Sequence, residues 1–253
     1  MYATVVSRRE GTCGVDVGGT ETSMNASAVM TLWSTSIGKK AVMAVTGFIL
    51  VGFVIGHMLG NLKIYYGEEE FNAYALWLRE VGSPALGHEQ FLWLVRLILL
   101  TATVLHIVAA VQLTQMSYAA RPLSYEQWEA IQATYASRTM RWGGVIITLF
   151  VIYHILHFTL GAVGYPPGQY RPTSVYRNVV TGLSVWYVAA FYIMAMVALG
   201  FHMYHGVWSM FQTLGVDNAS TNRLYRALAT VSSLAVAIGN ISVPFAVLTG
   251  LVA

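Results

Sequence analysis

A chain of 253 residues that is 56% hydrophobic and only 10% charged lies far below the roughly 25% charge of soluble domains, and reads as an integral membrane protein. Its net charge of +3 does not point to nucleic acid, because the cations sit at the ends of apolar segments, where membrane topology puts them. Its one cysteine, Cys13, excludes disulfides, iron–sulfur clusters and thiolate zinc sites built from this chain alone.

Residues 1–29 differ from the rest, being Gly, Thr, Ser and Val with scattered charge and no apolar run. They read as a disordered extension, or as sequence upstream of a working start at Met30 or Met24, without a signal peptide's apolar core. The Asp16, Gly18, Gly19, Thr20 run lacks the preceding strand a phosphate loop needs. Residues 30–253 form the working domain.

Five apolar segments follow, each near the ~20 residues that cross a bilayer: Lys40–Leu62, Gln90–Met116, Trp142–Gly164, Leu183–Phe211 and Arg226–Val252. The expected fold is therefore all-α, an integral membrane bundle of five transmembrane helices. Trp33, Tyr65, Tyr66, Trp93, Trp142, Tyr165, Trp186 and Trp208 flank the segments as an interfacial belt. Lys and Arg set the orientation. Arg8, Arg9, Lys39, Lys40, Arg121, Arg138, Arg141, Arg223 and Arg226 fall on one side, against Lys63, Arg79, Arg171 and Arg177 on the other. The positive-inside rule then places the N-terminus inside and the C-terminus outside. Between the first two spans, Glu68–Val81 puts Phe71, Tyr74, Ala75 and Leu78 on one helical face, which predicts a short helix on the outer interface. Ser124 with Gln127 makes a capping-box pattern that opens a short inner helix through Ile131.

Histidine is the residue that points to chemistry. Six of the seven lie within the spans, where an imidazole must be paired, wetted or bound to something. His57, His106, His154 and His202 fall on four different segments, one each. At ~1.5 Å per residue, His57 and His154 sort to an outer level, while His106 and His202 sort to an inner one. Two imidazole pairs without carboxylate or sulfur ligands suit iron in haem better than zinc or copper, so two bis-histidine haem sites are expected. Gly52, Gly56 and Gly60 give the first span a flat strip beside His57, and Gly200 and Gly206 sit near His202. His157 and His205 each follow a proposed ligand by three residues and are candidates to bond a propionate or quinone. Arg96, inside the second span, is a candidate partner for an outer-haem propionate. His88, by contrast, reads as a solvated residue.

Several stretches resemble a known family, the cytochrome b membrane-anchor subunit of succinate dehydrogenases and fumarate reductases in its single-chain, five-helix, two-haem form. They are Thr35-Ser-Ile-Gly-Lys-Lys40 leading to Thr46-Gly47, Gly56-His57-Met-Leu-Gly-Asn61, Gly67 to Asn72 with its Phe71-Asn72, and Ser137-Arg-Thr-Met-Arg-Trp142. Tyr153-His154 and Phe201-His202 ending in Gly206-Val-Trp-Ser209 complete the set, which extends from about Thr31 to the C-terminus. The resemblance implies two haem b groups ligated by His57 with His154 and by His106 with His202, and leaves His157 and His205 as non-ligands. It implies a flavoprotein subunit carrying FAD, an iron–sulfur subunit docked on the inner face, and membrane quinone (menaquinone or ubiquinone) as the redox partner near the outer surface. By its location alone, and not by the resemblance, the Glu68–Leu78 helix is a candidate to line that quinone's pocket, with its carboxylates handling quinone protons. The setting would be a bacterial-type cytoplasmic membrane, with the succinate or fumarate site on a partner subunit. Rival readings are a cytochrome b anchor of another quinone-linked dehydrogenase and a haem-free structural anchor. A transporter is disfavoured, since the spans carry almost no charge and no paired broken helices.

Overall fold

The computed structural model of the chain describes residue 31, residues 33–120 and residues 135–253, the side chains of 135–138 excepted. The readings for residues 1–29 and for the 124–131 helix lie outside the described residues. The elements are α1 (Ser36–Asn61) with a 3₁₀ turn (Leu62–Tyr66), α2 (Glu68–Glu80), α3 (Gln90–Ala119), and α4 (Tyr135–His154) continued by a π-helical turn (Ile155–Thr159). After these come α5 (Val175–Leu183), α6 (Trp186–Thr213) and α7 (Asn222–Leu248). Five of these helices are long and apolar enough to cross a membrane, and none of the described residues is in a strand. The chain is an all-α, multi-pass membrane protein.

Local signals explain the boundaries. Thr35 caps α1 by accepting the Gly38 N–H at 3.0 Å, so the helix begins four residues before the apolar run does. Gly67, at φ +98°, turns the chain from the 3₁₀ segment into α2, a conformation that favours glycine. Glu68, Glu69 and Glu70 then occupy the first turn of α2, where the helix dipole favours negative charge. The face anticipated for α2 is the one that packs: Phe71 is buried and Tyr74, Ala75 and Leu78 are half-buried, while Leu76 and Trp77 point outward.

The fourth apolar segment differs from the sequence expectation. Instead of one helix from Leu183, a separate nine-residue α5 precedes the span, which starts at Trp186. Ser174 caps α5 through the Arg177 N–H at 3.2 Å, and α2 docks against this end. Glu68 takes the Arg177 guanidinium at 2.8 Å, and Asn72 Oδ1 accepts the Tyr176 N–H at 3.1 Å. The Arg177 hydrogen bond holds the Glu68 carboxyl below the ordinary carboxylate range. This seals the Asn61 end of the bundle.

Packing is tightest between α6 and α7, with α1 against α3 and α4 against α6. Small residues permit the approach. A Cβ on Gly200 would meet the Ala237 Cβ of α7 at 3.3 Å, and one on Gly239 would run into Met58. Gly200 therefore serves a helix–helix contact rather than a surface beside His202. Elsewhere the spans expose large apolar side chains, such as Phe48, Leu97, Leu100, Leu149 and Val231. In water such a surface would drive aggregation, whereas in lipid it faces a solvent as apolar as itself. Tyr66, Trp93, Trp142 and Trp186, all exposed, stand at the span ends.

Candidate functional site: two histidine pairs

The structure brings His57 of α1 against His154 at the end of α4, with ring centroids 5.8 Å apart and planes at 87°. It brings His106 of α3 against His202 of α6, with centroids 6.4 Å apart and planes at 60°. Neither α1 with α4 nor α3 with α6 is among the closely packed helix pairs. The rings thus meet across gaps between helices rather than in a tight seam. Two imidazoles bound through nitrogen to opposite sides of one metal, each at ~2 Å, set their centroids about 6 Å apart. Rotation about that axis leaves the interplanar angle free, so both pairs have the spacing of trans ligands.

The level difference follows from two helices independently. On α1, Thr46 touches His106, and His57 lies eleven residues further along, roughly 16 Å at ~1.5 Å per residue. On α4, a Cβ at Gly144 would lie 3.7 Å from His202, and His154 follows ten residues later, roughly 15 Å.

Each pair has one ring held by a hydroxyl. Thr46 Oγ1 lies 3.0 Å from His106 Nδ1 and donates its own proton to the Val42 carbonyl at 2.7 Å, so it accepts from His106. That assignment leaves Nε2 of His106 as the free nitrogen. Tyr192 plays the corresponding part at His154, with its hydroxyl 3.3 Å from Nδ1. Both hydroxyl residues lie outside the candidate ligands marked by the sequence; no spacing rule singles out a tyrosine on a neighbouring helix.

Among the described residues no group of three or more His, Cys, Asp or Glu side chains converges to hold a metal ion. A metal at either pair would draw only two ligands from protein side chains, the arrangement that suits a macrocycle supplying the equatorial positions. Room exists beside the first pair. A Cβ on Gly52 or Gly56 would meet nothing within 4 Å, and Phe53 stacks on His57 at 5.3 Å. Gly60 does another job, since a Cβ there would lie 2.7 Å from the Tyr74 hydroxyl of α2. Beside the second pair, a groove of about 440 Å³ between α4 and α6 is lined by Gly143, Ile146, Val197 and His202 among others.

The remaining candidates sit differently. His157, fully buried in the π turn, stacks on Phe158 at 4.1 Å and lies 3.0 Å from the Tyr192 hydroxyl. Gly164 and Gly182 pack on its ring with no space for a Cβ. Replacing Gly182 with Ala is expected to cost about 1–3 kcal/mol by overpacking this cradle. Thermal denaturation in detergent reads the cost, and an unchanged Tm would mean that the cradle yields freely. His205 lies near Trp208 with Nδ1 unpartnered, and Arg226 covers the Trp208 ring at 4.0 Å. Arg96 is exposed and stacks on Trp93 at 4.8 Å. His88, exposed in the α2–α3 connection, bonds Glu80. Near His157, burial pushes the Tyr165 phenol above its ordinary range.

Fold and site together define a class: a multi-pass α-helical membrane protein with two levels of opposed intramembrane histidines. Residues 119–239, from the end of α3 through most of α7, match the family model described as succinate dehydrogenase/fumarate reductase transmembrane subunit. The matched stretch contains His154, His157, Tyr192, His202 and His205. Comparison with curated proteins and with solved structures gives no match.

Proposed function

We propose that this chain is the membrane-anchor and electron-transfer subunit of a succinate:quinone oxidoreductase, with one b haem at each histidine pair. The observation that carries this reading is the pair of opposed imidazoles at two levels, at 5.8 and 6.4 Å, in an apolar bundle. Haem, when bound, supplies one-electron chemistry near the potential of quinones.

The protein's own part is to hold, orient and exclude. His57 with His154, and His106 with His202, would hold the group through imidazole nitrogens from four helices. Thr46 fixes the His106 ring by accepting a hydrogen bond from its Nδ1–H, a contact of the kind that raises ligand basicity. Gly52 and Gly56 keep side chains away from the face beside His57, and Phe53 stacks on its ring.

The bundle's Ser36 end faces inward by the positive-inside rule, where Lys40, Arg141, Arg223 and Arg226 are exposed to meet an iron–sulfur subunit and its flavoprotein. Membrane quinone reacts at the Asn61 end, next to α2 and its Glu68. The succinate or fumarate site belongs to the partner flavoprotein, and the home of the assembly is a bacterial-type cytoplasmic membrane.

The test is a reduced-minus-oxidised spectrum with haem quantification on the purified complex. Two b-type haems per chain are expected. Colourless protein from cells with ample porphyrin would overturn the proposal.

A further inference from the structure

Tyr192 of α6 places its hydroxyl between two imidazoles. Its ring is 7% exposed and walled by Phe150 at 5.0 Å, Phe158 at 5.5 Å, Tyr153 at 6.2 Å and Phe191 at 6.4 Å. That cage fixes where the hydroxyl points. It lies 3.3 Å from His154 Nδ1 and 3.0 Å from His157 Nδ1. The π turn after His154 belongs to this arrangement, since its bonds Leu160 N to Ile155 O and Ala162 N to Leu156 O carry the segment that places His157 on the same oxygen.

Proton bookkeeping makes the chain directional. With His154 Nδ1 at Tyr192, the nitrogen left for a metal is Nε2, and a neutral imidazole that ligates through Nε2 carries its proton on Nδ1. His154 Nδ1–H therefore donates to the Tyr192 oxygen. The phenol has one proton of its own, and His157 Nδ1 at 3.0 Å is its acceptor. The His157 proton then sits on Nε2, a buried atom without a hydrogen-bond partner, against Gly182. If His157 Nδ1 also donated, both the Tyr192 proton and the His157 Nε2 lone pair would lack partners, one buried group more than the single unpaired Nε2–H of this arrangement.

We propose that Tyr192 is a positioning residue for His154, and that the chain His154 Nδ1–H to Tyr192 O–H to His157 Nδ1 fixes the ring and sets the reduction potential at the His57–His154 pair. This rests on the reading of that pair as a haem site. A hydroxyl that donates to one imidazole is a better acceptor for the other, because linked hydrogen bonds polarise one another. Stronger acceptance from His154 raises the ligand's basicity and favours the oxidised metal. His157, in this scheme, acts without touching the cofactor.

Redox titration of the b haems in the purified complex tests it. Tyr192→Phe keeps the ring and removes only the hydroxyl. It should raise the midpoint of the His57–His154 haem by about tenfold in its one-electron equilibrium, ~59 mV, and leave the His106–His202 haem unchanged. His157→Leu, which touches no ligand, should move the same haem in the same direction by less. On a Tyr192→Phe background it should add nothing, since the two substitutions break one chain. A loaded Tyr192→Phe complex with both midpoints unmoved overturns the relay, and so does full additivity in the double variant. Should Tyr192→Phe load poorly, the His157→Leu titration decides, with an unmoved midpoint again overturning it. A haem-free wild type would take down the function reading itself, whereas a two-haem wild type indifferent to both substitutions removes only the relay.

Discussion

Replacing His154 with Ala is expected to leave one b haem per chain instead of two, with the remaining haem at His106 and His202. The two rings at each level face each other across a gap between helices, so losing one imidazole removes half of the proposed ligands at one level and none at the other. His57→Ala should give the same single-haem protein, and His106→Ala or His202→Ala the complementary one. His157→Leu should keep both haems, since that ring lies closed in its glycine cradle. Pyridine-haemochrome quantification and the spectrum of the retained haem read the outcome. If His154→Ala retained two low-spin haems, or if His106→Ala and His154→Ala removed the same one, the pairing would be wrong.

Gly56→Leu is expected to abolish the same haem by a different route. Gly56 lies one residue before His57, and a Cβ there meets no neighbour within 4 Å, so a side chain at this position starts into open space. The bundle should insert and assemble, while the isobutyl group occupies the space a porphyrin face needs. Gly60→Leu should instead disturb the α1–α2 junction, where the Tyr74 hydroxyl already lies 2.7 Å from an added Cβ. The contrast separates space used for a cofactor from space used for packing. The readouts are haem per chain together with size-exclusion homogeneity in detergent. Two haems retained in a monodisperse Gly56→Leu protein would show that the opening beside His57 has another use.

Both outcomes depend on features of unequal visibility. The five spans were legible because a helix crossing hydrocarbon must satisfy its backbone internally and stay apolar for ~20 residues, which leaves a local record in the chain. The packed face of α2 was legible for a similar reason, since Phe71, Tyr74, Ala75 and Leu78 repeat at the helical period. The four histidines sorted into levels because rise per residue is nearly constant, and the structure sets His57 by His154 and His106 by His202. α5 escaped that reading. Its nine residues merge with the apolar run that follows, and only the Ser174 cap marks it.

Composition and periodicity, then, determined that this chain is a bundle of membrane helices with intramembrane histidines at two depths. Rotation of each helix about its own axis was decided by tertiary packing alone. That rotation turned Gly60 to Tyr74, Gly200 to α7, Thr46 to His106 and Tyr192 to two imidazoles at once. The reason is physical: a span of nearly uniform hydrophobicity has little amphipathic preference for one face. Its azimuth is set by side chains distant in sequence, whose contacts leave no local trace.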